Sequence, residues 1–226
     1  MGIQAKRMTA QRKLENHIQA LALTGALAFA TGCTPAHYVT TEKPDYDPAT
    51  SSRVRIQSGN DLQAASLRAG ACYTNAWQTD PQRVSVDDGF WARYRYSSRS
   101  VVIGMPQSPR PWMRTDGLHF KDLIREYVVP AGQPITLSMS TAGDVGSGRY
   151  GGYSWSCKPS AMTFTPVAGQ DYDVFLSVDE SSRHARYCSV SVHRIDGNGL
   201  DEPVALRTAP KCPEDASAVT RSSSHN

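Results

Sequence analysis

The feature that most constrains this chain is a period-two alternation of apolar and polar residues that recurs in short runs. In residues 53–57, Val54 and Ile56 share one face of an extended chain, and Arg53 and Arg55 take the other. Similar alternation or short apolar runs occupy residues 90–96, 100–105, 126–129, 135–140, 161–165, 172–178 and 187–193. This period is typical of strands with one buried face, and only residues 61–68 and 117–125 could form a turn or two of helix. The sequence therefore predicts an all-β fold, a single antiparallel β-sandwich over residues 53–212.

The N-terminal region has the parts of an export signal. Positive charges come first, at Lys6, Arg7, Arg12 and Lys13, and an apolar run over residues 18–31 follows. That run is too short to cross a bilayer, which takes about 20 apolar residues. Residues 30–33, Ala-Thr-Gly-Cys, resemble the lipobox of bacterial lipoproteins, with Ala30 where that family most often has Leu. The resemblance implies that residues 1–32 are a signal peptide and that Cys33 is lipidated and becomes the first mature residue. The alternative is an ordinary secretory signal, with Cys33 left as half of a disulfide.

The segment after Cys33 has the composition of a flexible tether. Residues 33–52 contain three prolines, several Thr and Ser, and no apolar periodicity. Residues 213–226 form a polar tail that we expect to be disordered. Because Thr34 and not Asp follows the lipid cysteine, the sorting rule of enteric-type bacteria implies the outer membrane. We expect a lipid-anchored protein that faces the periplasm, with the cell surface as the alternative.

Four further cysteines lie within the predicted domain: Cys72, Cys157, Cys188 and Cys212. None forms a C-x-x-C pair, the close spacing that zinc sites and thioredoxin-like redox centres use. An even number of cysteines in an exported chain predicts two disulfides. Of the three possible connectivities we favour Cys157 with Cys188, which flank a strand pattern, and Cys72 with Cys212, which joins the two ends of the domain.

Two similar turn units support a comparison at the level of the domain. Residues 129–132 read Val-Pro-Ala-Gly, residues 164–172 read Phe-Thr-Pro-Val-Ala-Gly-Gln-Asp-Tyr, and an alternating strand pattern follows each. This pair of units is similar to the PEGA-like or transthyretin-like β-sandwich of small proteobacterial lipoproteins, over residues 53–206. The resemblance implies an envelope-associated sandwich without known catalysis, and it transfers no functional residue to this chain.

The charge of the chain argues against a nucleic-acid partner. Four of the 24 Lys and Arg and one of the 21 acidic residues lie in the first 32 positions, so the remainder carries 20 of each. Binding to nucleic acid needs a basic excess on the folded part. Residues 146–151 match the dinucleotide fingerprint G-x-G-x-x-G, but a strand pattern follows them where that fingerprint needs a helix. We expect no cofactor.

Candidate catalytic and metal-binding groups are few. His119, His184 and His193 fall within the domain, and none sits in a turn that would expose a serine nucleophile. Residues 196–202 space their oxygens as a calcium loop does, but Leu200 occupies a ligand position and the EF-hand glycine is absent. Tight-turn chemistry explains this segment better. We expect no metal site and no enzyme.

The remaining candidate is a binding surface. Trp91, Arg93 and Arg95 share one face of a predicted strand, and Trp112 is an aromatic that we expect to be exposed in a proline-rich loop. Arg and Trp are enriched at protein interfaces, although an edge strand protected by charge fits the same pattern. We expect a non-catalytic structural or protein-docking role in the cell envelope, with a protein partner. The alternatives are an accessory lipoprotein of a secretion system and an envelope hydrolase without a recognisable motif.

Overall fold

The computed structural model describes residues 36–59, 63–74, 80–86, 97–119, 121–145, 152–179 and 187–213, and within these ranges the chain is all-β. A single 3-10 turn at Pro111–Met113 is the one helical element of the described residues. The strands are β1 Ala36–Thr41, β2 Ser51–Ser58, β3 Ala64–Ala69, β4 Arg83–Ser85, β5 Ser97–Val102, β6 Leu123–Pro130, β7 Ile135–Val145, β8 Tyr153–Cys157, β9 Met162–Phe164, β10 Asp171–Asp179, β11 Tyr187–Ile195, β12 Asp201–Pro203 and β13 Arg207–Thr208.

The strands form two sheets, as the alternation predicts. The first has seven strands in the order β1-β5-β6-β2-β10-β11-β12. The second has six strands, with β13-β9-β7-β3-β4 in order and β8 paired to β7. The prediction of a wholly antiparallel arrangement is wrong, because β1 with β5, β5 with β6, and β2 with β10 are parallel pairs. Parallel neighbours need long connections, and here the chain visits the second sheet between β2 and β10.

The two sheets meet through one apolar core. Val54 and Ile56 of β2 and Val174 of β10 contribute from the first sheet, and Leu67 and Leu137 contribute from the second. Each is flanked along its strand by residues that point to the opposite face, as a period of two requires. Burying a side chain of this size contributes about 1.5–3 kcal/mol, so the facing apolar stripes hold the two layers together.

Three segments differ from their predicted states. Ala36–Thr41, placed in the flexible tether of residues 33–52, forms β1 and pairs in parallel with β5 over six residues. Backbone pairing stabilises this segment, because five of its six side chains are exposed. The two short helical patterns are also wrong, since residues 64–69 form β3 and residues 123–130 form β6.

The cysteines pair in the connectivity favoured from the sequence. Cys157 at the end of β8 is bonded to Cys188 in β11, which joins the second sheet to the first. Cys72 is bonded to Cys212, 140 residues further along the chain. No helix of the described residues is long and apolar enough to cross a membrane.

Candidate functional site

A row of charged side chains crosses the outer face of the first sheet. The register places Arg55 of β2 beside Glu126 of β6 on one side and beside Asp173 of β10 on the other. His193 of β11 continues the row, because it pairs with Asp173. The core residues of these strands point to the opposite face, so the alternation that builds the core also assembles this row.

Arg55 lies at the centre of the row and is nearly fully buried. Its Nε and Nη2 donate to Glu126 Oε1 at 2.9 and 2.7 Å, and its Nη1 donates to Asp173 Oδ1 at 3.0 Å. Its Nη2 also donates to the carbonyl oxygen of Pro106 at 2.6 Å. Every guanidinium nitrogen of Arg55 therefore donates to a protein acceptor, which is how a buried charge is accommodated.

The loop between β5 and β6 covers this row and makes its burial possible. Glu126 Oε2 accepts hydrogen bonds from the backbone N–H groups of Ile103 at 2.6 Å and Met105 at 3.3 Å. The Ser108 hydroxyl donates to Asp173 Oδ2. Met113, in the 3-10 turn, is fully buried. The loop thus supplies both polar partners for the acids and an apolar cover, with a small cavity of about 240 Å³ left beneath it.

Burial controls the titration of the central acid. Desolvation raises the pKa of Asp173, and the nearby Arg55, the Ser108 hydroxyl and Arg110 oppose this rise without cancelling it. Asp173 is fully buried, and Arg110 Nη1 is 3.6 Å from its Oδ2. Two cations, Arg55 and Arg110, therefore oppose the effect of burial on the pKa of this acid.

Phe175 organises the exposed end of the cluster. The Trp112 ring meets the Phe175 ring edge-on at a centroid distance of 5.1 Å, and the Arg110 guanidinium lies 4.6 Å from the Phe175 centroid. Arg110 also forms an ion pair with Asp201. Trp112 is half-buried in this stack, so the prediction that it is an exposed aromatic is wrong. Its ring packs against Phe175, which removes part of its apolar surface from water.

His193 takes part in the same cluster, with its Nδ1 2.6 Å from Asp201 Oδ1 and its ring against Phe175. A histidine oriented by a carboxylate is one requirement of a catalytic triad. Here Arg110 shares the same carboxylate oxygen. Among the described residues, no serine or cysteine side chain hydrogen-bonds to the His193 ring. The described residues thus orient the ring through a carboxylate and an aromatic neighbour.

The other candidates fall in different places. Several predicted residues lie outside the described residues: Cys33, Trp91, Arg93, Arg95, His184 and residues 146–151. His119 is exposed, with its ring 3.9 Å from Asp122. In the loop resembling a calcium site, Asp196 Oδ1 accepts backbone hydrogen bonds from Asn198 and Leu200 at 2.8 and 2.9 Å. That is the geometry of a tight turn. Within the described ranges, no group of three or more His, Cys, Asp or Glu is placed to hold a metal ion.

Sequence reasoning missed the charged row, although a signal was present. Residues 53–55 read Arg-Val-Arg and residues 171–173 read Asp-Tyr-Asp. Arg53 pairs with Asp171, to which its Nε and Nη2 donate at 2.7 and 2.8 Å, and Arg55 pairs with Asp173. When two strands are neighbours in a sheet, residues of opposite charge that alternate along each strand can pair across the same face.

Comparisons with known proteins add no assignment. No family model matches the chain, and neither the curated proteins nor the solved structures contain a match to it.

Proposed function

We propose that the protein is a lipoprotein anchored by Cys33 in the outer membrane, facing the periplasm, with a non-catalytic structural or protein-docking role in the cell envelope. The observation that carries the proposal is the cysteine pairing. The chain has five cysteines, and four of them form two disulfides with each other. Structural disulfides persist in oxidising compartments such as the periplasm. Cys33, which follows the small residues of the lipobox, has no counterpart left within the chain.

The fold changes the expected reach of the anchor. Because β1 begins at Ala36, only three peptide units separate Cys33 from the first sheet. An extended chain spans at most about 3.6 Å per residue, so a lipid on Cys33 would hold β1 within about 11 Å of the membrane surface. Such a domain would stay close to the bilayer, which suits a role that depends on contact with other envelope components.

The charged row favours a structural role over a catalytic one. Catalytic acids and bases need to reach a substrate, whereas Arg55, Glu126 and Asp173 are buried and bonded to each other and to the covering loop. We infer that this cluster fixes the loop on the sheet. The loop then holds Trp112 and Arg110 on Phe175, and the part of the Trp112 ring that stays accessible is a candidate contact, because Trp and Arg are enriched at docking surfaces.

Replacement of the anchor residue tests the proposal. Cys33→Ser is expected to move the protein from the membrane to the soluble fraction and to abolish labelling by a palmitate analogue. The matched control, Cys157→Ser with Cys188→Ser, changes two other cysteines and should keep both the membrane fraction and the label. Unchanged partition of Cys33→Ser, or a dimer through Cys33 that disappears on reduction, would contradict the proposal.

Docking needs its own experiment. A photo-crosslinking amino acid at position 112 in intact cells is expected to give a specific adduct with one envelope protein. Tyr187, whose side chain is 72% exposed, provides an aromatic control position outside the stack. The adduct should disappear in Cys33→Ser, because release from the membrane removes the encounter. An adduct that is equally strong from position 187, or that survives loss of the anchor, would place the partner elsewhere.

A further inference from the structure

One sulfur of the Cys72–Cys212 disulfide lies beside a guanidinium group. Arg68 Nη1 donates to Cys72 Sγ at 3.4 Å and to the Cys72 carbonyl oxygen at 3.3 Å. It also donates to the Ala69 carbonyl oxygen at 2.7 Å, so the head of the arginine folds back over the turn after β3. Gly70 leaves room for this approach, because a Cβ at that position would lie only 3.1 Å from Nη1. A permanent positive charge is therefore in contact with the sulfur.

An acid holds the guanidinium group in this position. Asp80 Oδ2 accepts a hydrogen bond from Arg68 Nε at 2.7 Å, and Asp80 Oδ1 accepts one from the Gln82 backbone N–H at 3.0 Å. The side chains of Arg68 and Asp80 are only 15% and 8% exposed, so this ion pair is mostly shielded from water. Asp80 therefore fixes the arginine through Nε, while Nη1 faces Cys72. The carboxylate also offsets part of the positive charge at the sulfur.

A cation at one sulfur gives the cleavage of a disulfide a direction. In thiol–disulfide exchange a thiolate attacks one sulfur and the other sulfur leaves as a thiolate, and the sulfur whose thiol has the lower pKa leaves faster. A neighbouring arginine lowers the pKa of a thiol, because it stabilises the thiolate. The contact with Arg68 therefore makes Cys72 the leaving sulfur and Cys212 the sulfur that is attacked. In the second disulfide, neither Cys157 Sγ nor Cys188 Sγ accepts a hydrogen bond from a described residue.

The Cys72–Cys212 bond fastens the end of the domain to the turn after β3. Tyr73 N–H donates to the Pro210 carbonyl oxygen at 2.9 Å, and Cys212 N–H donates to the Tyr73 carbonyl oxygen at 2.7 Å. Residues 208–211 line one side of a groove of about 820 Å³ that lies over β3 and β7. Cys212 is half-buried between two exposed neighbours, which gives a reductant access to it. Breaking the bond would leave this side of the groove without its covalent attachment.

We propose that the Cys72–Cys212 disulfide is a redox switch, which a dithiol reductant opens and which then releases residues 210–212 from the turn after β3. A thiolate of the dithiol attacks Cys212 Sγ, the bond between the two protein sulfurs breaks, and Cys72 leaves as a thiolate beside Arg68. The second thiol of the dithiol then attacks the first in the mixed disulfide, its proton passes to Cys212, and Cys212 leaves as a thiol. The dithiol is oxidised to a disulfide, and the protein gains two electrons as one thiolate and one thiol. This proposal depends on the folded domain and not on the lipid anchor.

Reduction kinetics of the purified protein test the direction of cleavage. Dithiothreitol is the probe, free thiols are trapped with N-ethylmaleimide at timed intervals, and mass spectrometry of the peptides follows each disulfide separately. Cys72–Cys212 is expected to open before Cys157–Cys188. With β-mercaptoethanol, a monothiol, the mixed disulfide should form on Cys212 and the maleimide should label Cys72. Earlier opening of Cys157–Cys188, or a mixed disulfide mainly on Cys72, would overturn the proposal.

Removal of the charge separates the electrostatic effect from a loosening of the structure. Arg68→Met should slow the opening of Cys72–Cys212 by about two- to fivefold, a size typical of an interaction between partly exposed charges. Loss of structure would act in the opposite direction, because a looser turn exposes the disulfide to the reductant. Arg99→Met, the matched control, removes an exposed charge from β5 in the first sheet and should leave the rate unchanged. An unchanged or faster rate in Arg68→Met would contradict the assigned role of the arginine.

Hydrogen exchange tests the release of the segment. Cys72→Ser with Cys212→Ser imitates the reduced state and leaves the second disulfide intact. The amides of Tyr73 and of position 212 should exchange faster than in the wild type, by a larger factor than the amides of core strand β10, because the opening is local. An equal factor at all these amides would show that the bond contributes only to global stability, and the switch would be refuted.

Discussion

The buried row of charges makes a sharp prediction about Arg55. Replacing it by Met keeps much of its aliphatic volume and removes its charge and all of its donated hydrogen bonds. Glu126 and Asp173 would then remain on a face where their side chains are only 2% and 0% exposed. Removing one partner of a buried ion pair is strongly destabilising, because the remaining charge stays out of water.

The contacts that survive in the variant set the expected magnitude. Glu126 keeps the backbone N–H groups of Ile103 and Met105, and Asp173 keeps the Ser108 hydroxyl and the nearby Arg110. Breaking a buried pair costs about 3–5 kcal/mol, and these remaining partners place Arg55→Met near the lower end. A loss of about 3 kcal/mol is a large fraction of a typical stability of about 5–15 kcal/mol.

Urea unfolding followed by circular dichroism measures this loss against a matched control. Arg53→Met removes the same charge from the same strand, where Arg53 and Asp171 have side chains that are 18% and 9% exposed. Partial contact with water should make the loss there smaller than in Arg55→Met. Equal losses in the two variants would show that the central row is no more important to stability than an ion pair at the edge of the covered face.

The pH dependence separates loss of charge pairing from loss of packing. In Arg55→Met the pKa of Asp173, already raised by burial, should rise further because a neighbouring cation is gone. A folded-state pKa above the unfolded value means that the folded protein takes up a proton first as the pH falls. The stability deficit should therefore be complete above the folded pKa and shrink as the pH falls through it. A deficit that does not change with pH would refute the electrostatic explanation.

Three further predictions follow from local contacts. Replacing Cys157 and Cys188 by serine should lower the free energy of unfolding by about 3–4 kcal/mol, since the bond closes a separation of 31 residues; a loss under 1 kcal/mol in urea would contradict this. Trp112→Ala should cost about 1–2 kcal/mol through its lost contact with Phe175, and Trp112→Phe should cost less; an unchanged melting temperature for the alanine variant would show that the stack is not stabilising. Burial alone would raise the pKa of Asp80, but a backbone hydrogen bond from Gln82 and the Arg68 partner lower it below its usual value. The wild type should therefore lose stability as the pH falls through this lowered folded-state pKa. Asp80→Asn should lack this loss when stability is measured by acid titration.

The sequence predicted the strands well where alternation was regular. Runs such as residues 172–178 and 187–193 fall within β10 and β11, because period-two patterns report which residues face the core. The same pattern carries no information on strand direction. The parallel pairing of β2 with β10 depends on how the chain crosses between sheets, which no local pattern encodes.

The two features that the sequence did not predict have separate physical causes. β1 contains exposed side chains on an edge strand, so no apolar stripe distinguishes Ala36–Thr41 from the tether composition around it. Arg55 was predicted to be on a solvent-facing side, because charged residues are rarely fully buried unless they are paired. The pairing acids lie 71 and 118 residues away, so only the folded sheet brings them to the arginine.

The outer faces of the two sheets differ in the side chains that cover them. On the first sheet, a buried ion-pair row and the loop from β5 to β6 close the face, and Arg55 donates to Glu126, to Asp173 and to the loop. On the second sheet, Ser66 pairs with Ser138 and Ala64 pairs with Ser140, and a groove of about 820 Å³ lies over these small residues. A face that is closed by a fully bonded polar network contributes rigidity to the sheet that carries it. Since the Cys157–Cys188 disulfide joins the two sheets, the rigidity of the first sheet also restrains the second.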